Sequence, residues 1–471
     1  MRKDIFAGVI LLAALTGLAL AGINMNDNGD DLIDGDPIND EPEPTSFSSS
    51  QEMQDYFQRA SSSTGSLGGF NTRDNLAMES TASLSADTAS SGVSSGGVER
   101  YSQTNNQETG IQEADILKTD GQNFYYSPNQ NYYGIWRTSI RAPGPQEQPK
   151  ITTFSGLRDN FSETGEIDQN GEMLLSENLL TVLKYNSLKG YDVTDPENPE
   201  EDWEMELNGS IVASRQIGDE ILLVLRENVN YNRPCPIPLA SGSDSLTLRC
   251  SDISYLPGPN PNADSTYTAL KVSEDGEIQD STTMTGSTSN TVVHVSEKSI
   301  YITNQETMSD AEILSGFLEE DGNQLFTDDE MDRINEILGY DISDRSKMIE
   351  LERVFEQHTR RMDREEREEW RKEFENQLGN YTSDNKRDFT STVISEIGID
   401  DMEIEENGRV AGRLNDQFSM DEKDGNLRIA TTVGSTSWRV DGETANDMYI
   451  LDENLEELGS VKDMGLNEQI Y

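Results

Sequence analysis

The residue types that most often carry chemistry are scarce in this chain. It has two histidines, His294 and His358, and two cysteines, Cys235 and Cys250, among 89 acidic side chains. A histidine does triad or zinc work only beside a nucleophile, a carboxylate or further ligands at defined spacing. His294 lies in the alternating run Thr291 to Ser296 and His358 on the apolar face of a helical pattern, so both read as structural. Gly92-Val-Ser-Ser-Gly96 matches the nucleophile-elbow pattern, but that elbow needs a strand before it and a helix after it, and this one sits in a Ser/Gly tract.

Asn24 to Gly35 is the nearest EF-hand candidate, yet it lacks the acidic first ligand and the terminal bidentate glutamate. Asp192-Val-Thr-Asp-Pro-Glu-Asn198 offers oxygens to a loosely bound calcium ion and reads equally well as an Asp-Pro turn between strands. Paired carboxylates for glycoside hydrolysis are uninformative where acids supply every spacing by chance. No Gly-rich phosphate loop with a following Lys-Ser/Thr occurs. The pattern therefore assigns no catalytic or cofactor-binding residue and leaves metal ligands unassigned.

Cys235 and Cys250 fall in a Pro-, Gly- and Ser-rich excursion from Arg233 to Asn262. In an exported chain such a pair reads as one disulfide, and closing a loop of about 15 residues stabilises by about 3 kcal/mol. Asn160-Phe-Ser162, Asn208-Gly-Ser210 and Asn380-Tyr-Thr382 fit N-glycan acceptors. From Arg360 to Lys372, arginines and acids three and four apart read as the charge ladder of a solvated helix, with a partner-binding surface as the alternative.

Export is read from the first residues. Arg2 and Lys3 precede an apolar run from Ile5 to Gly22, which fits a signal peptide cleaved after Ala21 or a retained N-terminal membrane anchor, since roughly 17 residues suffice to span a bilayer. No cysteine follows at once to take a lipid. The formal net charge of -53 and the hydrophobic fraction of 33% fit a hydrated halophile surface, and a field of this sign argues against nucleic acid as a partner.

Residues 23–98 are acidic and then Ser/Gly-rich, with too few apolar side chains to offset ordering, and read as a disordered stalk. Only a short amphipathic piece around Met53 to Phe57 suggests local folding. From Glu99 the pattern turns to short strands. Leu188 to Asp195 with Trp203 to Leu207, Tyr267 to Glu274 with Ile278 to Met284, and Asp447 to Glu453 with Leu458 to Met464 repeat one hairpin phrase. Apolar strands Phe124 to Tyr126, Leu179 to Leu183, Ile221 to Leu225, Ile300 to Ile302 and Leu427 to Ala430 precede such units.

Strand groups recurring about every 40 residues point to propeller blades that are buried only by stacking. A β-sandwich competes, but it does not require a repeated phrase. Met348, Leu351, Phe355, His358 and Met362, then Trp370, Phe374 and Leu378, mark a helical insertion with break and cap residues at Asp341 to Ser343 and Thr382 to Asn385. The expected fold is mainly β, a partial propeller of about four blades. Its segments are 1–22 signal or anchor, 23–98 linker, 99–305 blades, 306–403 helical insertion and 404–471 a further, truncated blade.

Gly110-Ile-Gln-Glu-Ala-Asp-Ile-Leu-Lys-Thr-Asp-Gly121, Asp344 to Glu352, Gly379 to Thr382, Asn415 to Glu422 and Asn426 to Thr431 resemble archaeal and bacterial secreted proteins with a C-terminal β-propeller distantly related to WD40 repeats. The resemblance runs from about Glu99 to Tyr471 and implies a propeller outside the cytoplasm, with no activity to carry over. Members of that family continue with further blades past the segment resembling Leu466 to Tyr471, so a fragment or split gene is expected here, or a second polypeptide that completes the ring.

The leading expectation is a cell-surface scaffold that binds another surface protein or a polymer and meets the membrane only through its N-terminal segment. The rival is a secreted hydrolase or oxidoreductase with its site in the propeller channel, and the plainest alternative is a decaying gene product. The charge makes a direct prediction. Dilution from about 1 M to about 0.1 M salt lengthens screening from about 3 to about 10 Å, so the urea midpoint of unfolding falls with dilution. A midpoint that does not move contradicts the halophile reading.

Overall fold

The computed structural model describes residues 43–63, 111–128, 149–156, 161–257, 262–340, 342–434, 444–466 and 468. The signal or anchor, most of the linker with Asn24 to Gly35 and Gly92 to Gly96, and Asn160 lie outside the described residues. Among the described residues no helix is long and apolar enough to cross a membrane.

The apolar runs alternate with tight turns, and the chain folds into successive antiparallel meanders of four strands. Sheet 1 comprises Leu117–Thr119, Asn123–Tyr126, Ile151–Ser155 and Ser162–Ile167. Sheet 2 has the meander Glu172–Ser176, Leu179–Lys184, Ser187–Asp192 and Glu200–Leu207, extended past its last strand by Ile237–Gly242 and Leu246–Leu248, and sheet 3 the meander Ser210–Ile217, Glu220–Asn228, Ser265–Ser273 and Ile278–Gly286, extended by short strands at both edges. Sheet 4 comprises Val293–Val295, Ser299–Thr307, Thr390–Gly398 and Ile404–Ala411, and sheet 5 Met420–Lys423, Asn426–Val433, Ala445–Leu451 and Glu457–Met464. The five apolar runs singled out in the sequence are the second strands of these sheets. The repeated hairpin phrase is the third and fourth strands of sheets 2, 3 and 5. In the turn between the first two strands of sheet 5, Asp424 and Gly425 both take positive φ, 55° and 79°, as a two-residue turn matched to strand twist requires.

Period-two alternation stacks the sheets face to face. In Glu220–Asn228, Ile221, Leu223 and Leu225 pack with Leu188 and Met205 of sheet 2. Leu222 and Val224 of the same strand point the other way, into a cluster with Ile300 and Ile302 of sheet 4. Tyr301, between those isoleucines, joins Ile429 and Tyr449 of sheet 5, and Tyr125 and Ile151 of sheet 1 join Leu180 and Val182 of sheet 2. Trp203 is wedged where only glycine fits: a Cβ on Gly190 or Gly276 would lie within 2.5 Å of its ring, and its Nε1 donates to Glu274 O at 2.6 Å.

Part of the expected stalk is folded. Thr45–Ser46 adds to Ile253–Tyr255 at the last-strand side of sheet 3, and the helix Ser50–Ser63 buries Met53, Tyr56, Phe57 and Ala60. Phe47 stacks on Tyr255, whose hydroxyl donates to Glu52 Oε1 at 3.0 Å. The disordered-stalk expectation is corrected over 45–63, because apolar side chains three and four apart there make a face wide enough to dock.

The helices also occupy less than 306–403. Asp310–Glu320, Asp328–Leu338, Asp344–Arg360 and Arg364–Asp384 all lie between the second and third strands of sheet 4, with Thr307 opposite Thr390 at their base. Residues up to 307 and from 390 are strand because Ile394 and Ile397 serve the two seams beside sheet 4. The module has its own core of Phe317, Phe355, Trp370, Phe374 and Leu378, and capping boxes at Ser309/Glu312, Thr327/Glu330 and Asp363/Glu366 start three of its helices.

Its exit is clamped to sheet 5. Arg387 donates through Nε and Nη2 to the two oxygens of Asp447 at 2.7 and 3.1 Å, and Lys386 pairs with Asp463 at 2.6 Å. Asp447 is wholly buried; burial pushes its carboxyl up, but the Arg387 guanidinium, the Asp463 N–H and the Tyr449 hydroxyl hold it below the usual range. Arg387→Leu leaves that charge unpaired and is expected to lower unfolding free energy by about 3 kcal/mol, much of which Asp447→Asn in the same chain restores. Equal stability of wild type and single variant in chemical denaturation would show that the clamp carries no load.

Candidate functional site

The first strands of neighbouring sheets lie closest together: Leu117–Thr119 against Glu172–Ser176, and Ser210–Ile217 against Val293–Val295. With residues 112–115 they line one edge of sheets 1 to 4. Residues 112–115 cross this edge. Gln112 and Glu113 pair with Gln216 and Arg215 of sheet 3, and Asp115 exchanges two main-chain hydrogen bonds with Met173 of sheet 2, 3.1 and 2.8 Å long.

Charges gather where this strap lies. Arg215 meets Glu113 at 3.0 Å, and the buried Lys118 donates from Nζ to Glu113 O at 2.5 Å. Burial lowers the pKa of Lys118, partly offset by Asp115 and Glu113, and lowers that of Arg215, partly offset by Glu113. Desolvation and the Asp115 charge raise Glu172. His294, 1% exposed on the first strand of sheet 4, is depressed to about 4 by burial and by the Arg215 charge.

From His294 a polar row runs outward across sheet 4. His294 pairs with Tyr301, Tyr301 with Glu396 and Glu396 with Glu406, all on the face toward sheet 5. The His294 and Tyr301 rings stack with centroids 6.1 Å apart. Ser299 Oγ donates to Glu396 Oε1 at 2.5 Å, and the Tyr301 hydroxyl lies 3.2 Å from that oxygen and 3.1 Å from Glu422 Oε2 on the first strand of sheet 5. Burial and the nearby Glu405 and Glu422 charges raise Glu396, while burial and the Glu396 and Glu422 charges push up the Tyr301 phenol. A buried carboxyl, a phenol and a neutral imidazole in one row are groups able to hold and pass protons.

The residues singled out from sequence fall in several places. His294 joins the row, whereas His358 lies in the helical module, its Nδ1 2.8 Å from Glu330 Oε2 and its ring against Phe326 and Trp370. Cys235 and Cys250 are joined, with Cα atoms 5.4 Å apart, beside the strands that extend sheet 2. In Asp192 to Asn198 the carboxylates accept from local donors: Asp192 from Thr194 N at 2.8 Å, and Asp195 from Glu197 N at 3.1 Å and Asn198 Nδ2 at 2.9 Å. That is the turn geometry. Among the described residues no group of three or more His, Cys, Asp or Glu side chains is arranged to hold a metal ion.

Asn208 and Asn380 are exposed. The Arg360 to Lys372 stretch pairs as a ladder, with Arg364 to Glu368 at 3.4 Å and Arg371 to Glu375 at 3.6 Å. Tyr301, Glu396 and Glu422 follow no motif. Their one signal in sequence is a carboxylate at position 396 between Ile394 and Ile397, inside a run otherwise fit for a core.

Two histidines make the site measurable by imidazole NMR. His294 is expected to stay neutral to about pH 4, and Arg215→Met to raise its midpoint by removing a nearby positive charge. Because the folded pKa lies below the ordinary value of 6.5, the unfolded chain takes up the proton first, and stability attributable to His294 is lost as pH falls from about 6.5 to about 4. A histidine resonance assigned to His294 that titrates near 6.5 contradicts this placement.

The model of the beta propeller domain matches residues 101–471. An uncharacterized protein of Archaeoglobus fulgidus is 37% identical over 379 residues, covering 79% of this chain and 58% of the relative. The uncharacterized protein MJ1554 of Methanocaldococcus jannaschii is 30% identical over 379 residues, covering 79% of this chain and 56% of the relative. The chain thus spans little more than half the length of these curated relatives. With successive four-stranded meanders and a family match over most of its length, the chain belongs to the beta propeller domain family.

Proposed function

We propose that this is an exported cell-surface β-propeller protein of a halophile that serves as a binding scaffold, its five sheets being successive WD40-like blades. The observation that carries the proposal is the contrast between covered and uncovered faces. Sheets 2, 3 and 4 are packed on both sides. Sheet 5 presents Met448, Ile450 and Val461 outward, with Met448 opposite Val461. Sheet 1 presents Leu117, Tyr126 and Phe161, the last stacked on Phe154.

These faces are built like the covered ones, and further sheets of the same repeat are the occupants that match them in shape and apolar character. The additional length of the relatives is room for such sheets. Export is supported by the apolar run Ile5 to Gly22 and high salt by the net charge of -53, which also disfavours nucleic acid. Membrane contact is assigned to the N-terminal segment alone, and Asn208 and Asn380 to glycans. Calcium, if held, is held loosely at surface oxygens. The perturbed groups beside residues 112–115 favour one second reading, an enzyme with its site in the channel completed by sheets outside this chain.

Two cysteine variants test the proposal in the source cells with a membrane-impermeant maleimide. Tyr185→Cys, in a turn where the native side chain is 76% exposed, is expected to label on intact cells. Val461→Cys is expected to be protected there and to label in the purified chain. Labelling of Tyr185→Cys only after lysis contradicts export, and equal labelling of both variants on cells contradicts the covered face.

A further inference from the structure

We propose that the seam between sheets 4 and 5 is held by one proton shared among Glu396, Tyr301 and Glu422, so that the sheets are joined while it is bound and loosened when it leaves. The argument is a count of hydrogens. Three oxygen contacts meet in the seam: Ser299 Oγ to Glu396 Oε1 at 2.5 Å, Tyr301 OH to the same oxygen at 3.2 Å, and Tyr301 OH to Glu422 Oε2 at 3.1 Å. The two hydroxyls supply one hydrogen each, and that of Ser299 is engaged in the shortest contact.

The phenol therefore has one hydrogen for two carboxyl oxygens. If both acids are ionised, one contact sets lone pair against lone pair and two like charges flank one atom in a buried seam. A proton on either acid removes the conflict: that carboxyl donates to the phenol oxygen, and the phenol donates to the other carboxylate.

The groups facing Glu396 favour retention of the proton. Ser299 and Tyr301 reach it from one neighbouring strand, Glu405 and Glu406 lie on the other, and Glu422 faces it from sheet 5. His294 stacks on Tyr301 and adds no positive charge at neutral pH, its own pKa being held near 4 by burial and Arg215. The displacement of Glu396 above its ordinary 4.5, caused first by desolvation and then supported by the Glu405 and Glu422 charges, agrees with the geometry.

A folded-state pKa above the unfolded value means that the folded chain binds more protons in the interval between them. Stability from this source is full below about 4.5 and is lost as pH rises through the folded value. Concentrated salt screens surface charges over a few ångström but screens the buried Tyr301 and Glu396, with the half-buried Glu422 against them, much less, so molar salt is the condition in which the effect stands clear.

The test uses the full chain in molar salt, with chemical unfolding followed from pH 5 to pH 9 in wild type, Glu396→Gln and Glu422→Gln, and infrared spectra of the folded proteins. A glutamine supplies the missing N–H without a titrating proton. The wild-type unfolding constant is expected to rise with pH, by at most about tenfold per pH unit, until the folded-state pKa is passed and to level off above it. Either glutamine variant is expected to flatten that rise and resist unfolding better at the alkaline end. Wild type should also show a protonated-carboxyl band that persists above pH 4.5 and is weaker in both variants. Identical pH profiles in wild type and variants, or no such band in wild type, overturn the proposal; because the band is read on wild type, failure of a variant to fold leaves the test intact.

Discussion

The structure depends on one constraint: a four-stranded antiparallel sheet with apolar side chains on both faces cannot be buried alone. Its strands alternate, so Ile221, Leu223 and Leu225 need one neighbouring sheet while Leu222 and Val224 need another. Each cluster outside the helical module accordingly draws from two sheets. Stability in such a stack is approximately a sum over neighbours, and an apolar residue at roughly 25 cal/mol per Å² of buried surface contributes only when the adjoining sheet is in place. The N-terminal helix and the strap at residues 112–115 bind the stack. Both join segments distant in sequence to sheet 3.

Against that background the polar groups in the seams stand out. A buried polar network costs more than an apolar seam unless every group is satisfied. Two such places occur at the borders of sheet 5: the Arg387–Asp447 clamp from the helical module and the Tyr301–Glu396–Glu422 trio from sheet 4. The first is a complete pair. The second is complete only with a proton added. Sheet 5 thus adds two polar attachments to its apolar cluster with sheet 4, and through them its hold on the stack depends on solution conditions.

Much of this architecture was legible in the sequence. The second strand of every sheet appeared as an apolar run, because a strand buried on both faces is apolar at successive positions. The hairpin phrase was visible where short turns kept its strands adjacent, as in Leu188 to Leu207, and hidden in sheet 4, where the four helices separate Thr307 from Thr390. Strand edges near the insertion were misplaced for that reason. The fold of 45–63 was underestimated because its docking face, Phe47, Met53, Tyr56 and Phe57, is short and surrounded by polar sequence. The charge cluster beside residues 112–115 and the polar row were not legible. Glu113, Arg215 and His294, or Tyr301, Glu396 and Glu422, are far apart in the chain and meet only through strand register.

Hydrogen exchange across the whole purified chain in molar salt tests the stacking account most directly. Slowest exchange is predicted in Glu220–Asn228 and Ser265–Ser273 of sheet 3, which is covered on both faces, with faster exchange in Ala445–Leu451 of sheet 5, which is covered on one. Equal protection of all five sheets, or strongest protection in sheet 5, would contradict the claim that each sheet takes its stability from its neighbours.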